Sequence, residues 1–118
     1  MEYTHYIYDD ILMISVKGDL LGGSDEMDLL KLVENYSSME ITNCILDIEG
    51  VKHMNSTGLS YLIRMHNKFN EIEGNFVIAH PSYHVQKLFS ITKLKLICNI
   101  AESKELAFEF IHSKNKKD

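Results

Sequence analysis

Side chains able to do chemistry are scattered along this chain, and one short run stands out: Asn55-Ser56-Thr57-Gly58. It follows a nearly unbroken apolar stretch, Cys44 to Glu49, and precedes a run with helical spacing, so it stands where a strand's loop hands over to a helix. A helix start leaves backbone N–H groups unpaired, and a hydroxyl or phosphate placed there meets a favourable field. Two adjacent hydroxyls and a glycine make a compact corner suited to carrying such a group. The same residues also suffice for an ordinary cap, with Asn55 or Ser56 satisfying free amides and Gly58 allowing close packing.

Other constellations are weaker. His80 and His84 are four apart, but Pro81 lies between them and no Cys or Glu follows at metal-ligand spacing. His66 falls on the apolar side or edge of a helical pattern and reads as a packed histidine. His53 precedes Ser56 by three positions, yet nothing stands at a recognisable spacing to orient it as a base, and it reads as an exposed loop residue. The nucleophile-elbow, phosphate-loop and dinucleotide-binding signatures are all missing. The expectation is a protein that is not an enzyme and needs no metal or cofactor.

The elements that must position this corner are legible from periodicity. Tyr3–Tyr8 and Ile11–Lys17 read as two strands, joined through the turn Asp9-Asp10 into a hairpin. Gly18-Asp19 ends the second strand. Ser24 is the expected cap of a first helix, with Asp25 and Glu26 at its positive end and Leu29, Leu32, Val33 and Tyr36 facing inward. The run from Cys44 to Glu49 reads as a central strand covered on both faces.

From Thr57, a long helix should bury Leu59, Leu62, Ile63, Phe69 and Ile72, ending at Glu73-Gly74-Asn75. Phe76–Ala79 reads as a strand, Pro81-Ser82 as the start of a short helix, Lys95–Cys98 as a last strand, and Ser103 as the start of a final helix carrying Leu106, Ala107, Phe110 and Ile111. The order β-β-α-β-α-β-α-β-α predicts an α/β fold: one mixed sheet with an opening hairpin and about four helices packed against it.

Composition sets the bounds. With 118 residues, 45% hydrophobic and 25% charged, the chain fits one globular domain, expected over 1–112 and followed by a polar basic tail at 113–118 with Lys114, Lys116 and Lys117. Twelve basic residues against 17 acidic ones, a net charge of -5, disfavour nucleic acid as a partner. No apolar run approaches the ~20 residues of a membrane span, so no membrane insertion is expected. The polar start Met1-Glu2-Tyr3-Thr4-His5 lacks a signal-peptide pattern, and Cys44 and Cys98 in their apolar runs read as buried reduced thiols, with a disulfide between neighbouring strands as the alternative; the first reading is in keeping with a cytoplasmic protein.

The segment Val51-x-x-Met54-Asn55-Ser56-Thr57-Gly58-Leu59 resembles the phosphorylation corner of STAS-domain anti-sigma factor antagonists, in which Asp-Ser-Ser/Thr-Gly-Leu opens the second helix. The resemblance extends through the β-β-α-β-α order, the turn Val16-Lys17-Gly18-Asp19-Leu20, the run Gly74-x-x-Phe76-Val77-Ile78 and the helix of Val85, Leu88 and Phe89, nearly the whole chain. It implies the STAS fold and a partner switch in a bacterial sigma-factor circuit. The unmodified protein would bind an anti-sigma factor that is also a serine kinase using ATP and magnesium, and so release sigma factor. Phosphorylation of Ser56 would end that binding, and a PP2C-type phosphatase would restore it.

By the same resemblance the partner-binding residues would be Gly18, Asp19, Leu20, Met54, Asn55, Ser56, Thr57, Gly58 and Leu59; Lys52, His53 and Arg64 read either as a polar rim or as ordinary solvated surface. Asn55 stands where many phosphorylated relatives carry Asp. It keeps the capping oxygen and loses the charge. The other role the resemblance allows is a stand-alone regulatory subunit, for instance of a transporter ATPase, without sigma control.

Overall fold

In the computed structural model, which describes residues 1–115, the chain forms β1 (Glu2–Tyr8), β2 (Ile11–Lys17), α1 (Ser24–Ser38), β3 (Asn43–Gly50), α2 (Ser56–Glu71), β4 (Asn75–Ala79), α3 (Tyr83–Thr92), a 3-10 turn (Leu94–Leu96), β5 (Asn99–Ala101) and α4 (Lys104–Asn115). The expected order and the mixed sheet are both present. The strands lie β1-β2-β3-β4-β5, with β1 antiparallel to β2 and every later pair parallel. Asp9 and Asp10, both at positive φ, make the tight hairpin turn between β1 and β2.

Both faces of the central strands are covered, which is why their sequences run apolar without alternation. Leu12, Ile14 and Val16 of β2, Cys44, Leu46 and Ile48 of β3, and Phe76 and Ile78 of β4 pack with α1, α2 and α3 into the main core. The intervening residues Ile11, Met13, Ile45, Val77 and Ala79 meet Ala107 and Ile111 of α4 on the other face. Both cysteines are free and buried. Of the expected tail at 113–118, α4 takes in the part up to Asn115, and positions 116–118 lie outside the described residues.

The structure corrects three local expectations. Lys95–Cys98 is not a strand. Lys93 adopts the left-handed conformation and turns the chain, buried Leu94 plugs the core, and the N–H groups of Ile97 and Cys98 both donate to the Leu94 carbonyl. Those backbone groups are thereby used locally, and pairing with β4 begins only at Asn99, opposite Val77. Second, Gly23 rather than Ser24 caps α1: the buried Glu26 carboxylate accepts the Gly23 N–H, and Ser24 is the first helical residue. Third, the inward stripes are narrower than drawn, since Ile72 and Leu106 are exposed while Met65 of α2 is buried.

Candidate functional site

The corner begins where β3 leaves the sheet. Val51 is fully buried and its N–H donates to the Ile48 carbonyl at 3.0 Å, turning the chain so that Lys52 and His53 are exposed. Met54 then forms an isolated parallel bridge with Leu20. The Leu20 N–H donates to the His53 carbonyl at 3.0 Å, and the Asn55 N–H donates to the Leu20 carbonyl at 3.2 Å. One turn earlier, the Gly18 N–H donates to the Gly50 carbonyl at 3.0 Å. The loop after β2 and the loop after β3 are thus laced side by side, with Gly18 against Gly50, Leu20 against Met54 and Asn55, and the exposed Asp19 between them in sequence.

Asn55 locks the start of α2. Its Oδ1 accepts the Gly58 N–H at 2.8 Å, and its Nδ2 donates to the Leu21 carbonyl at 3.1 Å. One side chain therefore caps the helix and ties it to the neighbouring loop. Gly58 is required for a different reason: a Cβ there would run into the Leu20 carbonyl, so only glycine lets the helix approach so closely. Gly22, at φ +85°, gives way in the same manner to the Thr57 side chain.

Ser56, first residue of α2, is exposed, as are Thr57 and Asn55, while Gly58 and Leu59 are buried. The first-turn amides of Ser56 and Thr57 have no intrahelical partner, and the helix dipole adds positive potential. The first turn of α2 carries no acidic residue. A group of negative charge on the Ser56 oxygen would therefore be welcomed by its own helix. Met54 is half-buried, packed against the main core while also lining a hollow of about 100 Å³ with Lys52, His53, His84, Val85 and Leu88. Of the other expected rim residues, Arg64 lies on α2 with its guanidinium over the Tyr61 ring, 5.2 Å from the centroid.

Three participants were not read as such from the sequence. Leu21 supplies the carbonyl that anchors Asn55, and backbone acceptors leave no sequence signal. Gly22 accommodates the Thr57 side chain, a contact between two segments far apart in sequence. His84 on α3 faces His53, with ring centroids 6.2 Å apart, joining α3 to the corner. His66 is outside the site: its Nδ1 is buried without a hydrogen-bond partner among the described residues, and burial lowers its pKa, favouring the neutral ring. Among the described residues no group of three or more His, Cys, Asp or Glu could hold a metal ion.

Comparison with known proteins relates the chain to a family and to a fold. The STAS domain family profile matches residues 3–107. The Thermotoga maritima protein TM1081 superposes with a TM-score of 0.85 at 19% identity, covering 93% of this chain and 94% of that one. A form of Moorella thermoacetica RsbS superposes with a TM-score of 0.83 at 13% identity, covering 99% and 100%. The anti-sigma factor antagonist SpoIIAA in its unphosphorylated form gives 0.74 at 14% identity, covering 94% and 98%, and the phosphorylated Bacillus protein gives 0.72 at 15%, covering 92% and 99%. At these identities the likeness to solved structures is one of fold.

Proposed function

We propose that this chain, which belongs to the STAS domain family, is an anti-sigma factor antagonist that works as a binding module and is switched at Ser56. In the unmodified state the corner docks an anti-sigma factor serine kinase in the cytoplasm through Gly18, Asp19, Met54, Asn55, Ser56 and Thr57, with the buried Leu20, Gly58 and Leu59 shaping it from beneath, and sigma factor is released. The kinase phosphorylates Ser56, the complex dissociates, and a PP2C-type phosphatase resets the protein.

The observation that supports this most is the placement of Ser56: an exposed hydroxyl at the first position of α2, on a corner held rigid by Asn55 and by the Leu20–Met54 bridge. Rigidity matters because a switch must change the interface and leave the fold intact. A phosphoserine adds about -1.5 to -2 charges at pH 7. Within the free protein the helix start stabilises it by roughly 0.3–1 kcal/mol. Inside a desolvated contact an unmatched dianion costs several kcal/mol. A loss of about 3–4 kcal/mol weakens binding by a few hundred-fold, since each ~1.4 kcal/mol is tenfold.

The test is partner capture from the protein's own cells with two baits, Ser56→Ala and Ser56→Asp. An ATP-dependent serine kinase retained by the first and lost by the second supports the switch. Capture of a transporter ATPase by both baits alike points instead to a constitutive regulatory subunit. Equal retention of the kinase by both contradicts the mechanism.

A further inference from the structure

No acidic residue occurs from Gly74 to Ala101, although the chain carries 17. Lys87, Lys93 and Lys95 lie in that stretch, and so do the most exposed large apolar side chains among the described residues: Leu96 at 82%, Ile91 at 80% and Tyr83 at 68%. Ile97 is exposed as well. Single exposed aliphatics are ordinary, but here they interleave with lysines along α3 and the turn that follows it.

The turn is fixed by its backbone. Lys93 sits at φ +57° with its N–H shared between the Phe89 and Ser90 carbonyls, the Leu96 N–H donates to the Lys93 carbonyl at 3.0 Å, and the Ile97 N–H donates to the Leu94 carbonyl at 2.8 Å. Leu94 alone points into the core, so Lys93, Lys95, Leu96 and Ile97 are left outside. On the last turn of α3, Ile91 is two residues away. Further along that helix, Lys87 holds its ammonium over the Tyr83 ring, 4.7 Å from the centroid. The first acid past the stretch, Glu102, lines a hollow with Lys95.

We propose that this corner docks the protein peripherally on an anionic lipid surface. Ile91, Leu96 and Ile97 enter the acyl boundary, Lys87, Lys93 and Lys95 meet lipid phosphates, and Tyr83 sits at headgroup level. The charge distribution selects this occupant. A second copy of the chain would set the lysine-rich turn against its own equivalent, like charge on like. A lipid surface complements the lysines, and the acidic remainder of the chain, repelled by it, keeps this corner inward. His84, over His53 of the switch loop, places the Ser56 corner next to the docked helix. No helix among the described residues is long and apolar enough to cross a membrane, in keeping with contact confined to the interface.

Sedimentation of the full chain with extruded vesicles tests this, comparing pure phosphatidylcholine with phosphatidylcholine–phosphatidylglycerol mixtures. The expected result is binding to the mixed vesicles alone, weakened at least tenfold in Ile91→Ser/Leu96→Ser and in Lys93→Glu/Lys95→Glu, with both variants melting like the parent. No binding to anionic vesicles overturns the proposal, as does binding that both variants retain. A dimer in sedimentation equilibrium that Ile91→Ser/Leu96→Ser abolishes, without vesicle binding, also overturns it and makes the corner a self-interface. The vesicle assay does not involve Ser56, so its outcome is independent of the switch.

Discussion

Asn55 and Leu21, 34 positions apart, are joined by a hydrogen bond of 3.1 Å from the Asn55 amide to the Leu21 carbonyl, while the other end of the same side chain caps α2 at Gly58. The residue preceding the proposed phosphate acceptor is therefore a two-way clamp. Aspartate would retain the capping oxygen but has no N–H to give to Leu21. Asparagine at this position therefore has a local structural use.

That clamp gives the first prediction. Asn55→Ala removes the cap and the tie to Leu21 and should cost about 1–2 kcal/mol. Asn55→Asp should cost less, because it still caps. Urea denaturation of the three proteins, read by circular dichroism, checks the order. Equal stability of all three would show that the clamp contributes nothing.

A second prediction separates fold from interface at Ser56. Because the side chain is exposed at a positive helix end, Ser56→Asp should leave unfolding free energy within about 0.5 kcal/mol of the parent, or raise it slightly. The measurement is again urea unfolding, now at low and high salt, where any dipole gain should shrink as salt rises. A large destabilisation would mean that Ser56 is packed rather than presented.

The histidine of α2 supplies a pH dependence. Burial lowers the His66 pKa in the folded state, so the unfolded chain takes up that proton first. Its contribution to stability is therefore intact above the unfolded value of about 6.5 and declines as pH falls through it. Chemical unfolding at pH 7.5 and 5.5 should show a smaller loss in His66→Leu than in the parent. An identical loss would remove His66 from the account.

The thiols should be inert in the native protein. Burial pushes the Cys98 thiol up to about 12, and the fully buried Cys44 is raised as well, so almost no thiolate exists near neutrality. An aromatic disulfide reagent at pH 8 should label neither until denaturant is added, and then both. Fast labelling of one in the native state would show local opening of its strand or turn.

How much of this was legible in the sequence depended on which physical signal each residue carried. The strands from Ile11 and Cys44 and the inward faces of α2 and α3 were readable because burial on a regular element imposes a period. The corner was readable because cap residues and a close-approach glycine have their own chemistry. The stretch Lys95–Cys98 was misread because an apolar run cannot say whether its backbone bonds go to a neighbouring strand or to itself, and the left-handed Lys93 decided that locally. The roles of Leu21 and His84 were hidden for another reason: both arise from contacts between segments distant along the chain, where spacing gives no hint.

The most direct test of the switch is phosphopeptide mass spectrometry on the protein recovered from its own cells, first growing and then stressed. The account predicts a phosphate on Ser56, not Thr57, whose occupancy changes between the two conditions. Ser56 unmodified in both conditions would contradict it.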